Sequence, residues 1–114
     1  MARRGGVPDP ETAAWTDLGP ADLLPGEHKS VEAGPINVAI FNVNGTYHAI
    51  EDVCTHDGGI LSDGEVEGAV ITCPRHGAQF DVRTGAALCM PAVTPTAVFP
   101  VRVAEGRILA ALPL

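Results

Sequence analysis

Four residues in two short runs have the types and spacing of ligands: Cys54-Thr55-His56 and Cys73-Pro74-Arg75-His76. Sixteen residues, 57–72, separate the runs. Thiolates are soft donors and imidazoles are neutral nitrogen donors, so two of each describe a transition-metal site. Tetrahedral zinc can take such a set, but zinc motifs usually open with two cysteines two to four residues apart. Here each pair mixes the two residue types. A Cys–His hydrolase uses one nucleophile and one base, which would leave the second pair without a role.

The elements that must position these residues read as short strands. Thirteen glycines and ten prolines, spread along 114 residues, leave little room for long helices. Residues 1–13 hold Gly, Pro and charge without periodicity and are expected to form a loose tail, with one domain over 14–114. Ile36–Val43 is the clearest strand, with Val38, Ile40 and Asn42 on one face and Ala39, Phe41 and Val43 on the other. Asn44-Gly45 then Thr46–Ile50 complete a hairpin, because both central residues of a type I′ turn need positive φ. Glu65–Glu67 with Ala69–Thr72 predicts a second hairpin. Thr96–Ala104 with Arg107–Leu112, joined at Glu105-Gly106, predicts a third. Gln79–Val82 is a strand before the turn Arg83-Thr84-Gly85, and Asp22-Leu23-Leu24 is expected to make one helical turn. The sum is an all-β antiparallel sandwich or barrel. Each Cys–His pair follows a strand, and the chain between them goes out and returns, which can set the two loops side by side.

The pattern C-x-H, sixteen residues, C-x-x-H resembles the Rieske [2Fe–2S] proteins. The resemblance takes in Gly58, Gly59 and Gly77 beside the ligands and the segment Phe80-Asp81-Val82-Arg83-Thr84-Gly85. More loosely it covers about residues 15–112. It implies a Rieske-type fold with a subdomain of two ligand loops. It also implies one [2Fe–2S] cluster, with Cys54 and Cys73 on one iron and His56 and His76 on the other. Gly58, Gly59, Arg75, Gly77, Ala78 and Pro91 are expected around the ligands. The three loop glycines are expected to wind tightly and offer N–H groups to sulfide.

Neutral imidazoles in place of two thiolates ease the uptake of an electron. Rieske centres accordingly lie at about −150 to +300 mV, against about −400 mV for plant-type ferredoxins. High-potential members of the family carry an extra cysteine in each loop, paired as a disulfide. The matching positions here are Gly59 and Arg75, so that bridge cannot form. Those members also place Ser and Tyr hydroxyls near sulfur, where this chain has Ala78 and Phe80. Fewer hydrogen bonds to sulfur favour the oxidised state, so a potential near the low end is expected. The imidazole ligands further imply a potential that falls with pH at alkaline values.

Composition narrows the partners. Fourteen acidic residues against seven basic ones give a formal charge of −7, which argues against nucleic acid and against anionic lipid. Arg3-Arg4 is followed by Gly5-Gly6-Val7-Pro8-Asp9-Pro10, with no apolar run of a secretory signal, so the expected compartment is the cytoplasm. There cysteines more often bind metal or stay reduced than pair. Cys89, the odd cysteine, is expected to be a free buried thiol. His28, in a polar turn, and His48, on a hairpin strand, read as ordinary histidines, and Glu51 and Asp52 as a solvated face. Arg75 could screen a reduced cluster or meet an acidic partner.

An oxygenase would need a further iron site of two His and a carboxylate, together with a substrate cavity. The remaining histidines, 28 and 48, do not supply it. The resemblance is closest to stand-alone ferredoxins of ring-hydroxylating dioxygenases. It implies a one-electron carrier, not an enzyme, between a flavoprotein NAD(P)H reductase and a terminal oxygenase. Ile60, Leu61 and Pro74 would form a small docking patch. A Rieske small subunit of a nitrite-reductase-like complex and an accessory of iron–sulfur assembly are the alternatives.

Overall fold

A computed structural model describes residues 14–55, 58–75, 77–90 and 94–113. The expected tail at 1–13 lies outside them. The described residues form eleven strands: β1 (Ala14–Pro20), β2 (His28–Ala33), β3 (Ile36–Val43), β4 (Thr46–Glu51), β5 (Glu65–Glu67), β6 (Val70–Thr72), β7 (Gln79–Asp81), β8 (Ala87–Cys89), β9 (Val98–Phe99), β10 (Val101–Ala104) and β11 (Arg107–Leu112). One 3-10 turn, Leu61–Asp63, precedes β5. Among the described residues no helix is long and apolar enough to cross a membrane.

The strands make three antiparallel sheets, ordered β1-β11-β10, β2-β3-β4-β9 and β5-β6-β7-β8. Strand β3 explains how they stack. Side chains alternate across a strand, so a strand apolar on both faces can serve two cores. Ala39 and Phe41 join one core with Ile50, Ile71, Phe80 and Val82. Val38 and Ile40 join the other with Ala49, Phe99, Ile108 and Leu112. The β2-β3-β4-β9 sheet therefore packs against the other two, one on each face.

The predicted turns hold. Asn44 and Gly45 have φ of 53° and 94°, and Val43 pairs with Thr46 across them. Asn42 fastens this hairpin from inside: its Oδ1 accepts from the Gly45 N–H at 2.7 Å and its Nδ2 donates to the Leu23 carbonyl at 2.8 Å. Glu105 and Gly106 form the same kind of turn between β10 and β11.

Three local expectations change. Asp22–Leu24 carries no helical turn. The Tyr47 hydroxyl accepts from the Leu23 N–H at 3.1 Å and donates to its carbonyl at 3.0 Å, so side chains of the β3–β4 hairpin satisfy that backbone. The predicted strand Thr96–Ala104 is broken at Pro100: β9 pairs with β4, and β10 pairs with β11. Proline has no N–H for a ladder, and this one marks the passage between two sheets. Strand β2 also occupies the region read as a polar turn around His28.

Candidate metal centre

The two cysteines lie in loops built to one plan. In the first, the Gly58 N–H donates to the Cys54 carbonyl at 2.7 Å and the Cys54 N–H donates to the Gly59 carbonyl at 2.7 Å. In the second, the Gly77 N–H donates to the Cys73 carbonyl at 3.1 Å and the Cys73 N–H donates to the Ala78 carbonyl at 2.7 Å. Both loops thus close from the cysteine to the residues four and five further on. The glycine at the fourth place is left-handed in each, with φ of 77° at Gly58 and 78° at Gly77. A Cβ at either would meet nothing within 4 Å, so conformation and not space calls for glycine there. This corrects part of the expected role: the N–H groups of Gly58 and Gly77 are spent on cysteine carbonyls.

The loops converge. Cys54 and Cys73 are both buried in one apolar cluster with Leu61, Ile71, Ala78 and Phe80. Strand β4 leads into the first loop, and β6 and β7 flank the second. Gly59 and Ala78 are buried, while Arg75 is exposed. His56, His76 and Pro91, and Asp57 beside them, lie outside the described residues.

The surroundings of the first loop hold residues that sequence reasoning misplaced. Asp52, expected on a solvated face, is only 3% exposed. Its carboxylate accepts from the Ser30 hydroxyl at 2.8 Å, the Ser62 hydroxyl at 2.6 Å and the Ser62 N–H at 2.7 Å. His28 packs its ring against Phe41, centroids 5.5 Å apart, and its Nε2 lies 2.8 Å from the Ser62 carbonyl. The Thr55 hydroxyl donates to the Thr94 carbonyl at 2.5 Å, tying the first loop to the segment before β9. An acid followed ten residues later by serine is the only trace of this network in the sequence.

Two apolar expectations also change. Leu61 is fully buried and cannot dock a partner, whereas Ile60 is 52% exposed and Pro74 is exposed. Leu88 and Met90, at 48% and 73%, are large exposed residues beside the second loop. Cys89 lies between them and is a free but exposed thiol, not a buried one. Its Sγ is 3.7 Å from the Gly77 carbonyl and 3.6 Å from Gln79 Oε1. Strand β8 is an edge strand, unpaired on one side, and Leu88 and Cys89 are exposed on it.

Away from the loops, His48 lines a shallow groove with Tyr47, Arg83 and Pro100. Burial first, and the Arg83 charge second, hold its pKa below the usual histidine value, with Asp81 opposing. A histidine depressed in the folded state stabilises the fold above its unfolded pKa of about 6.5, and this is lost as pH falls through the folded value. Thermal melts from pH 7.5 to 5 are expected to lose less stability in His48→Gln than in the parent. Equal losses would show that His48 plays no part.

A family model for the Rieske [2Fe-2S] domain matches residues 14–100. The chain belongs to the Rieske [2Fe–2S] family. It is 42% identical over 94 residues to a 3-phenylpropionate/cinnamic acid dioxygenase ferredoxin subunit of Shigella flexneri serotype 5b (strain 8401), covering 82% of this chain and 88% of that one. Its structure resembles that of a Sphingomonas yanoikuyae B1 ferredoxin, with a TM-score of 0.82, 32% identity and coverage of 88% and 100%. It also resembles a chain in the complex of reduced oxygenase and oxidized ferredoxin in carbazole 1,9a-dioxygenase, with a TM-score of 0.81, 38% identity and coverage of 85% and 92%. The chain is therefore a Rieske-type ferredoxin, an electron-transfer protein and not a catalyst, and its cofactor is a [2Fe–2S] cluster. The donor chemistry fits: two buried cysteines in one apolar cluster, on loops of matching closure, can present two thiolates shielded from water.

Proposed function

We propose that this ferredoxin takes one electron from a flavoprotein NAD(P)H reductase and delivers it to a terminal oxygenase, in the cytoplasm. The observation that carries this reading is the 42% identity with a dioxygenase ferredoxin subunit over 88% of that subunit's length. In the same reading Cys54 and Cys73 ligate one iron and His56 and His76 the other. The bound cluster supplies reversible one-electron chemistry at a potential near the low end of the Rieske range. Apolar packing around Cys54 and Cys73 keeps water from the thiolates, and the absence of a hydroxyl at Ala78 and Phe80 holds the potential low.

Docking uses the loop end of the molecule. Ile60 and Pro74 belong to the two loops, and Leu88 and Met90 stand beside the second. A few exposed apolar residues suit a redox partner that must leave after each transfer, since such interfaces are small. The net charge of −7 speeds encounter with a basic partner, at rates that fall as salt rises.

Reconstitution with such a reductase and a ring-hydroxylating oxygenase tests the reading. Product formation is expected to require this protein. Met90→Glu is expected to lower transfer to the oxygenase about tenfold while cluster content stays unchanged, the loss of one well-placed apolar contact. Transfer independent of this protein, or a Met90→Glu variant as fast as the parent, would contradict it.

A further inference from the structure

Asp52 stands outside the ligand set, yet it holds both ends of the first ligand loop. Its N–H donates to the Asn37 carbonyl at 2.8 Å, which fixes it to β3. Its carboxylate reaches ten residues ahead to Ser62, taking both the hydroxyl and the N–H. The span so closed contains Cys54, His56, Gly58 and Gly59. Ser30, from β2, provides the third donor, so the loop is anchored to a sheet that is itself no part of the ligand loops.

These three donors are neutral. They stabilise a carboxylate charge in place without cancelling it, and an ionised carboxylate only accepts hydrogen bonds. A buried charge is screened far less by salt than an exposed one. Asp52 is two residues from Cys54 and almost wholly shielded from solvent. A negative charge so placed opposes the arrival of an electron on a neighbouring centre.

We infer that Asp52 is a positioning residue of the cluster site, which clamps the first ligand loop through Ser62 and lowers the reduction potential by its buried charge. The inference rests on the reading of Cys54 as a cluster ligand. It adds to that reading a residue whose effect on the potential is electrostatic, and Ser30 and Ser62 as the partners that hold it.

The test is a redox titration of the cluster-loaded protein, comparing the parent with Asp52→Asn and Ser30→Ala. Asp52→Asn keeps the shape and removes the charge. It is expected to favour reduction about tenfold, a rise of about 59 mV for one electron. Ser30→Ala removes a donor and leaves the charge less compensated, so the potential is expected to fall by a smaller amount. Opposite signs separate electrostatics from simple loosening of the loop. An Asp52→Asn potential equal to or below the parent's would overturn the inference. If Asp52→Asn holds no cluster, Ser30→Ala decides, and an unchanged or raised potential there overturns it. A parent protein that binds no cluster would instead remove the reading of Cys54 as a ligand.

Discussion

Cys73→Ser is expected to yield a folded protein whose iron content drops from two per chain to near zero and whose electron delivery falls at least about 100-fold. That factor is the upper end for losing a residue that merely orients a metal ligand, and the ligand that Cys73 is proposed to be should cost no less. A serine hydroxyl is a hard, protonated donor at neutral pH and a poor substitute for a soft thiolate. Cys73 is buried with Cys54 among Ile71, Ala78 and Phe80, so no exposed group can take its place without opening the core. The same loss is expected for Cys54→Ser, His56→Ala and His76→Ala. Cys89→Ser and His48→Gln are the controls: Cys89 is exposed, and His48 lines a groove away from the loops. Iron and sulfide analysis of the purified variants checks the set. Full cluster content in any ligand variant, or loss in a control, would redraw the site.

Gly64→Ala is expected to destabilise the fold by about 3 kcal/mol, the upper end for overpacking a filled site. That equals a fall of about 12–24 °C in Tm for a domain near this size. The cause is contact, not conformation. Gly64 has an ordinary φ of −87°, but a Cβ there would lie 1.8 Å from the Thr72 carbonyl oxygen. Thr72 directly precedes Cys73, so the exit of the first loop is pressed against the entry to the second. A methyl group would push the two loops apart and weaken cluster retention together with stability. Gly58→Ala is the contrast: open space surrounds its Cβ position, and only the positive φ resists. Its expected cost is about 1–2 kcal/mol. Thermal melts of the two variants side by side check the ranking, and a Gly64→Ala variant as stable as the parent would contradict the contact.

The parts of the fold that could be read from the sequence are those governed by local rules. Strand β3 and its Asn-Gly turn appear as predicted because alternation and positive φ act within a few residues. Arg107–Leu112 was legible for the same reason. Strand β2 was not: His-Lys-Ser-Val-Glu-Ala carries one large apolar side chain, since an edge strand with a solvated face needs little more. Tertiary partners decided the rest. Asp52 reads as surface until Ser30 and Ser62 are brought to it from 22 and 10 residues away. Leu61 and Ile60 are neighbours of equal apolar character, and only the 3-10 turn sends one inward and leaves the other out. The two cysteine loops were visible as motifs, but their shared closure was not, because it depends on backbone hydrogen bonds that the spacing of Cys and His does not encode.

A redox titration of the purified protein followed by EPR bears most directly on the central claim, that this chain is a one-electron Rieske carrier. The purified protein is expected to be coloured, to take up one electron per chain, to give the signal of a reduced mixed-ligand two-iron centre, and to have a midpoint near about −150 mV, the low end of the Rieske range. A colourless, zinc-loaded protein with no such signal would contradict it, and a midpoint well above zero would contradict the low potential argued from Ala78 and Phe80.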